Sequence, residues 1–197
     1  QDYAPPKVGF QTGNNDHFLR FWYEVSNNKI KINSLNKKEA IDSKKKWFPC
    51  NKGGEFRRWF GNNRFIVNWE NNGSQIKNFS GSVIRNPDFY FQEGITWSTT
   101  SSSSLSMRYS PPGFLFNNRG SVCFPSRNKS WEIPLALMNT KVVKSLLLIL
   151  SPTISFGEGD IGKIPVIETK IETVKNIAIK CRNLAMEDWN SFEISWC

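Results

Sequence analysis

The sequence predicts an α+β fold, in which a mixed, largely antiparallel sheet region is followed by a helical C-terminal part. Short apolar and aromatic runs separated by turn sequences dominate residues 1–130, as in strands. Helical spacing of apolar residues dominates residues 131–197. Since 197 residues suffice for one sizeable core, we expect the two parts to belong to one domain.

In the first part, extended pieces such as residues 18–23 alternate with turns, and one helix is predicted at residues 37–45. Asn36 would cap this helix, and Glu39 at its third position completes a capping-box pattern. Further strands are predicted at residues 65–69, 82–84, 95–97 and 114–116, separated by Asn-Asn-Gly, Asn-Pro-Asp and Pro-Pro-Gly turns.

The second part is predicted to form helices at residues 133–138 and 140–150, with Asn139 capping the latter, and a last helix at about residues 168–186. In that last helix one face carries Ile171, Val174, Ile177, Cys181 and Leu184. Residues 135–150 form the most apolar stretch, but they are interrupted by polar residues and too short to span a bilayer. The sequence therefore predicts a core helix there.

The charge of the chain is concentrated in one region. The net charge is +9, and residues 29–64 hold eleven Lys or Arg against three Asp or Glu, a local balance of +8. A localised basic surface indicates a polyanionic partner, whereas scattered charge would indicate only solubility.

Residues 46–64 combine cations, aromatics, amides and glycines in one short segment. This mixture suits nucleic acid, because cations neutralise phosphates, Arg and Asn read base edges, and glycines permit close backbone approach. A Trp-rich core strand flanked by solvated charge would explain Trp47 or Trp59, but it would not explain the glycines and cations beside them.

Other chemistries find little support. The four cysteines are widely spaced with only His17 as a possible imidazole partner, so zinc is not expected and the thiols are interpreted as reduced and cytoplasmic. His17 has no accompanying nucleophile motif, and Glu158 with Asp160 lacks a further carboxylate for metal-assisted hydrolysis.

The tetrapeptide at residues 86–89, Asn-Pro-Asp-Phe, differs by one residue from the Asn-Pro-Pro-Phe/Tyr loop of amino-methyltransferases. Without a Gly-rich turn for S-adenosylmethionine, a turn between strands is the better interpretation.

Taken together, these segments resemble the target-recognition part of the PglX family, the adenine-specific DNA methyltransferases of BREX phage-defence systems. Related single-chain restriction-modification enzymes share parts of the pattern. Residues 9–20 are similar to the family's Gly-x-Gln-Thr-Gly-x-Asn-Asp-x-Phe, with which the recognition domain begins, and we call them the entry motif. Further similarity lies in residues 46–61, 67–70, 94–98 with the Ser-rich loop that continues to Arg108, 152–156, 159–165 and 187–196. Cys50 and residues 117–120 depart from the usual pattern, which leaves the recognised base sequence open.

In such enzymes the cofactor fold and the Asn-Pro-Pro-Phe/Tyr loop lie N-terminal to the entry motif. The resemblance therefore implies a fragment or split product that recognises duplex DNA through residues 1–130, with residues 131–197 as scaffold, and does not itself methylate. It implies no catalytic, metal or cofactor-binding residue in this chain, and S-adenosylmethionine in the longer parent. The implied partners are duplex DNA, the missing N-terminal methyltransferase half and further phage-defence components, in the cytoplasm and without a membrane.

The resemblance and the residue chemistry together suggest a division of labour. Phosphate contacts are expected from Lys44, Lys45, Lys46, Lys52 and Arg57, and base contacts from Arg58, Asn62, Asn63, Arg64, Arg85 and Arg108. Gly53 and Gly54 would admit the duplex closely. The entry residues Gln11, Thr12, Gly13, Asn14 and Asn15 would lie near the adenine, which must leave the stack before it can be methylated.

Two alternatives stay open at the level of sequence. One is a stand-alone, non-catalytic specificity or adaptor protein that serves a separate catalytic subunit. The other is a binder of carbohydrate or single-stranded RNA that uses Trp22, Trp59, Trp69 and Trp97 as stacking platforms.

Overall fold

The computed structural model describes residues 3–101, 104–150, 155–167 and 171–195. Residues 102–103, 152–154, 168–170 and 196, which belong to predicted motifs or elements, lie outside these ranges. The described strands are β1 (Pro6–Lys7), β2 (Leu19–Phe21), β3 (Trp47–Asn51), β4 (Phe65–Asn68), β5 (Gly94–Trp97), β6 (Met107–Ser110), β7 (Leu115–Phe116) and β8 (Val122–Cys123). The described α-helices are α1 (Asn15–Phe18), α2 (Lys37–Asp42), α3 (Glu70–Lys77), α4 (Glu132–Met138), α5 (Lys141–Leu150), α6 (Glu158–Ile161) and α7 (Ile171–Asn190).

The strands form two four-stranded sheets, with orders β2-β4-β3-β7 and β1-β8-β5-β6. All pairings within these sheets are antiparallel except that of β3 with β7. The predicted α+β class, with largely antiparallel sheets and a helical C-terminal part, is confirmed. The predicted strand at residues 82–84 was wrong, because only the Gln11–Val83 bridge forms there.

Strand β3 is the main element that the sequence analysis missed. All five of its residues are buried, so the first part of residues 46–64 is a core strand between β4 and β7. Pro49 is tolerated inside it because β7 pairs only with Cys50 and Asn51 and Ile30 bridges only Trp47, which leaves position 49 unpaired on that side. Charge at both ends of β3 concealed its apolar character.

Local signals at the helix ends were mostly predictive. The Asn36 side chain accepts from the Glu39 N–H at 2.9 Å, and Glu39 reaches back to the Leu35 N–H at 2.9 Å, so the predicted cap forms. Helix α2 nevertheless ends at Asp42, and the left-handed Lys44 (φ 52°) turns the chain away before β3. Residues 86–89 do form a turn, since Asn86 is left-handed (φ 49°) and begins a short 3-10 helix, but the strand predicted before this turn is absent.

The cap predicted for α5 was wrong. The amide of Asn139 is buried and holds both backbone groups of Met107 in β6, at 3.1 and 3.0 Å. Thr140 instead caps α5 by accepting from the Val143 N–H at 3.3 Å. An Asn side chain can cap a helix or bind a buried backbone segment, and here the packing of α4 on β6 favours the second role.

Helices α4 and α7 pack on each other and on the β5-β6 side of the molecule, around a core that includes Trp97, Met107, Trp131, Leu135 and Trp189. The face of α7 that lies in this core contains Ala178 and Trp189. It is not the face of aliphatic residues singled out in the sequence, since Ile177 and Leu184 are 55% and 57% exposed.

Helix α5 is only partly a core helix. It buries Val143 and Leu147 and exposes its five other aliphatic side chains. Within the described ranges, no single helix is long and apolar enough to cross a membrane; α4 and α5 reach that length and composition only as a pair bent by 68°.

Candidate nucleic-acid interface

The loop of residues 52–64, which joins β3 to β4, lies against the second sheet. Trp59 exchanges backbone hydrogen bonds with β6, accepting from Tyr109 and donating to Met107, both at 2.8 Å. Its left-handed backbone (φ 72°) fixes the direction in which the loop leaves this contact. The loop therefore has a defined conformation that local sequence did not predict.

Two of the three glycines of this loop let it lie close against the rest of the protein. A Cβ on Gly61 (φ 120°) would lie 2.4 Å from Arg57 Cδ and 2.9 Å from Trp189 Cε3. A Cβ on Gly53 (φ 82°) would lie 2.6 Å from the Arg119 carbonyl oxygen. Gly53 is thus buried against the protein, contrary to the expectation that it admits a duplex, whereas Gly54 is exposed.

Trp189 of α7 contacts two of the arginines that were predicted to bind DNA. The guanidinium carbons of Arg57 and Arg64 lie 5.0 and 5.6 Å from the indole centroid. Arg57 also donates to Asp188 at 2.9 Å, and its side chain is 25% exposed. The carboxylate already engages Arg57, so this residue fixes the loop to α7, and the phosphate contact expected of it stays a prediction. Sequence reasoning assigned no such role to Asp188 and Trp189, because they lie more than 120 positions from the loop.

Arg108 was predicted to read bases, but the structure does not bring it to the surface. Arg108 is 1% exposed in the interior of β6, so its guanidinium does not reach the surface. Burial, and to a lesser extent the charge of Arg57, lowers the pKa of Arg108 to about 10. Asn63, another predicted reader, is 3% exposed and likewise does not reach the surface.

The buried Arg108 instead holds the loop. Its guanidinium donates to the carbonyl of Arg57 at 3.4 Å and to Ser98 Oγ at 3.4 Å, and Ser98 in turn donates to the carbonyl of Gly54 at 2.9 Å. Its Nε has no hydrogen-bond partner within the described structure. The buried cation therefore ties two points of the loop backbone to the second sheet.

Three predicted phosphate contacts lie together at the N-terminal end of β3. Lys44, Lys45 and Lys46 line a cleft of about 470 Å³ with Asn28, Lys29, Ser43 and Glu70, and we call this the lysine cleft. Lys45 donates from Nζ to the Asn28 carbonyl. Lys29 was not singled out in the sequence, although it belongs to the +8 segment. The cleft offers ammonium groups without a planar fork, which is the chemistry of phosphate contact.

A second cleft, of about 330 Å³, lies near the other end of β3 and brings together Asn15 and Lys52. Asp16, Leu19, Arg20, Phe21, Glu24 and Phe65 complete its lining, and we call it the aromatic cleft. Lys52 Nζ lies 4.2 Å from the Phe65 ring centroid, and Phe21 lies 4.7 Å from Phe65, centroid to centroid. Arg20 was also missed, because it lies outside the +8 segment.

The remaining entry residues mainly support the local fold. Thr12 is buried and donates to Asn15 Oδ1 at 2.8 Å, and Asn14 caps α1 by accepting from the His17 N–H at 3.0 Å. Gln11 pairs with Val83, two residues before the half-buried Arg85, and Gly13 (φ 73°) packs against Gly81. Of the five entry residues predicted to lie near the adenine, the exposed Asn15 lines the aromatic cleft, together with Asp16, Leu19 and Arg20 of the same motif.

Arg58, Asn62 and Arg64 are half-buried, so these three predicted readers keep part of their surface in solvent on the loop. The Arg58 guanidinium lies 5.4 Å from the ring centroid of the exposed Phe56, and Asn62 donates to the Glu55 carbonyl at 2.9 Å. By contrast, Trp69 and Trp97 are 2% and 0% exposed, so two of the four proposed stacking platforms for carbohydrate or RNA are core residues. The described residues also contain no group of three or more His, Cys, Asp or Glu that could hold a metal ion.

Comparison with known proteins relates this chain to adenine-specific methyltransferases. It is 43% identical over 186 residues to the adenine-specific methyltransferase BrxX of Escherichia coli O9:H4 (strain HS), an alignment that covers 93% of this chain and 15% of the relative. It is 38% identical over 203 aligned positions to the adenine-specific methyltransferase PglX of Lacticaseibacillus casei (strain Zhang), covering 100% of this chain and 17% of the relative. No protein-family profile matches the chain.

The chain is therefore homologous to a segment of these methyltransferases, and the likeness to PglX inferred from the sequence motifs is confirmed at that level. It spans about a sixth of the length of the curated relatives that it matches.

Proposed function

We propose that this chain recognises duplex DNA in a sequence-specific manner, as part of an adenine-specific (N6) DNA methyltransferase of a BREX phage-defence system. The observation that carries the proposal is the arrangement of the +8 segment. It places the lysine cleft and the loop of residues 52–64 at opposite ends of one rigid strand, in a chain homologous to adenine-specific methyltransferases.

The spacing of these basic groups suits a duplex. Lys46 and Lys52 flank β3, and six residues of extended chain span about 20 Å at about 3.3 Å per residue. This length corresponds to about six base pairs along the duplex axis, at about 3.4 Å per base pair. Phosphate contacts at both ends of β3 would hold the protein in register on the duplex, while the loop of residues 52–64 presents its side chains to the base pairs.

The lysine cleft supplies Lys44, Lys45, Lys46 and Lys29 as anchors at one end, and Lys52 with Arg20 acts at the other. Arg58, Asn62 and the half-buried Arg64 would read base edges from the loop, because their guanidinium and amide groups offer paired donors or acceptors. Arg85 and Gln11 form a further candidate pair near Val83. Arg108 and the glycines would act indirectly, by keeping the loop in its reading conformation.

The remaining steps belong to the longer polypeptide. That polypeptide would bind S-adenosylmethionine and carry out methyl transfer, and this chain would contribute Asn15 and the aromatic cleft near the extruded adenine. The proposal places the assembly in the cytoplasm, together with further phage-defence components.

The test is a competition assay on the complete methyltransferase, after its site has been determined by mapping N6-methyladenine in cells. If Arg58 reads a base, Arg58→Ala should lose about 1 to 3 kcal/mol on the specific duplex, with relaxed preference at one position. Lys45→Ala should instead weaken binding to specific and scrambled duplexes alike. Equal losses on both duplexes for both variants would contradict the division between reading and anchoring, and no loss for either would contradict DNA binding by this surface.

A further inference from the structure

Helix α7 carries an apolar stripe that its own core does not use. Its buried face contains Ala178 and Trp189, with Ala185 and Met186 packed against the same core. A second stripe consists of Val174, Ile177, Cys181 and Leu184, and we call it the α7 seam. Ile177 and Leu184 are 55% and 57% exposed, while Val174 and Cys181 are half-buried.

The spacing of the α7 seam selects the kind of partner. Its members follow one another at intervals of three, four and three residues, which is the a/d repeat by which one helix packs on another. At about 1.5 Å per residue the stripe is about 15 Å long, and it is only one side chain wide. Such a narrow row matches the ridge of one helix, whereas a sheet would require a broader apolar face.

Charge on the free side of the seam adds a constraint. Lys180 and Glu187 are exposed and seven residues apart, on the side of the seam away from the α7 core face. A helix lying on the seam would pair best with an acidic side chain opposite Lys180 and a basic one opposite Glu187.

We propose that the α7 seam packs against an amphipathic helix of the methyltransferase polypeptide that lies outside these 197 residues. The inference rests on the proposed placement of this chain within a longer methyltransferase. More than four fifths of each matched relative lies outside the aligned segment, so a covering helix is available in such a polypeptide.

Helix α5 shows the same excess of apolar surface in the same helical region. Val142, Leu146, Ile149 and Leu150 lie on one side at intervals of four, three and one residues, and their exposures are 66%, 37%, 79% and 43%. A free surface rarely displays two such stripes, because contiguous exposed apolar patches mark contact sites.

Two other occupants fit the seam less well. A stable dimer buries about 800 Å² per partner, which a row of four side chains does not supply. A membrane-surface helix has a polar face rich in Lys and Arg, whereas α7 mixes Glu172, Glu187 and Asp188 with Lys175 and Lys180.

The test measures cysteine accessibility in the complete methyltransferase polypeptide with a Cys181→Ala background. Leu184→Cys places a thiol in the seam, and Asn176→Cys, an exposed position off the seam, is the matched control. With a maleimide probe and peptide mass spectrometry, we expect Leu184→Cys to react at least tenfold more slowly than Asn176→Cys in the native protein, and equally fast after unfolding. Equal native rates would overturn the inference.

A second substitution separates helix docking from other sources of protection. Adding Ile177→Glu should raise the labelling of Leu184→Cys to the control rate without unfolding the protein, because Ile177 is largely exposed in its own domain. The inference would also be overturned if Leu184→Cys is protected only in samples that light scattering shows to be dimeric, or only when anionic lipid vesicles are present. Measuring the duplex affinity of the same preparations distinguishes the two proposals. A protected seam without duplex binding contradicts only the proposed function. An exposed seam with duplex binding contradicts only the proposed helix docking.

Discussion

Single residues in this protein have roles that depend on burial more than on residue type. Arg108 and Arg58 have the same guanidinium, but Arg108 is 1% exposed inside β6 and Arg58 lies half-buried on the loop of residues 52–64. The buried cation can act only on the protein, through its bonds to the Arg57 carbonyl and Ser98. DNA-binding assays should therefore distinguish Arg108, which holds the loop in place, from Arg58, which is proposed to contact a base.

Arg108→Met should weaken binding to every duplex by a similar factor, because the loop loses its tie to the second sheet while no base contact is removed. This uniform loss contrasts with the position-specific loss expected for Arg58→Ala. Competition against specific and scrambled duplexes measures both effects. A loss confined to one base position in Arg108→Met would show that Arg108 leaves the interior and reads that base.

The same variant has a distinctive pH dependence. Since burial lowers the pKa of Arg108 to about 10 in the folded protein, the unfolded chain binds more protons above that pH, and this residue then adds to stability as pH rises. The buried phenols Tyr90 and Tyr109, whose pKa is raised, act in the opposite direction in both proteins. The difference in unfolding free energy between the parent protein and Arg108→Met should therefore move in favour of the parent by on the order of 1 kcal/mol per pH unit above pH 10. Urea unfolding from pH 8 to 11 measures this difference, and a constant difference would contradict the assigned burial.

Two thiols should be inert for the same physical reason. Burial raises the pKa of the Cys50 and Cys123 thiols far above the normal range, because a thiolate there would lose its hydration. Iodoacetamide at pH 8 should leave both unmodified in the native protein and alkylate both after denaturation. Peptide mapping by mass spectrometry checks this, and rapid native alkylation would mean that β3 or β8 opens readily.

At the scale of elements, the loop of residues 52–64 has its shape imposed by contacts on three sides. β6 binds Trp59, Arg108 holds the loop backbone, and α7 presents Trp189 to Arg57 and Arg64. Gly61 is the position where these contacts leave the least space.

Gly61→Ala should destabilise the protein by about 1 to 3 kcal/mol, because φ 120° strains any side chain and the added methyl meets Arg57 and Trp189. Duplex affinity should fall as well, since the loop must shift. Gly159→Ala in α6 is the matched control: no atom lies within 4 Å of its new methyl, and the change should be neutral or slightly stabilising. Thermal unfolding of both variants measures the contrast, and equal melting temperatures would contradict the described loop packing.

Asn139 joins helix α4 to strand β6 and should be costly to remove. Its amide makes three hydrogen bonds, to the two backbone groups of Met107 and to the Leu135 carbonyl. Asn139→Ala should lower the unfolding free energy by about 2 to 3 kcal/mol, because buried backbone groups lose their partners. Asn176→Ala on the exposed side of α7 should change it by less than about 0.5 kcal/mol. Chemical denaturation compares the two, and similar small effects would mean that Asn139 is only a helix-end residue.

For the whole molecule, the several cations proposed to contact phosphates at the two ends of β3 imply that duplex affinity depends strongly on salt. With about five phosphate contacts, the logarithm of the duplex association constant should fall against the logarithm of salt concentration with a slope of roughly −4 to −5. Replacing Lys45 should reduce the steepness by about one, since one counterion fewer is released. Binding measured from low to high salt tests this, and a flat response would show that the +8 segment is not the binding face.

The sequence by itself determined the features that depend on short-range pattern. The α+β class, the Asn36 cap, the Asn86 turn, strands β4 and β5 and the concentration of charge in residues 29–64 all follow from periodicity, turn chemistry or composition within a few neighbouring residues. The likeness to adenine-specific methyltransferases also followed from motifs in the chain.

Only the tertiary structure decided which chemically similar groups face solvent. Strand β3 is buried because β4 and β7 close around it, although charged residues border it. Arg108 is buried because the loop of residues 52–64 covers it, and Asn139 serves β6 because α4 lies beside that strand. In α7 the periodic stripe of Ile177 and Leu184 stays exposed while Ala178 and Trp189 enter the core. Each outcome depends on contacts between residues far apart in the chain, and a residue type cannot by itself encode which distant neighbour will cover it.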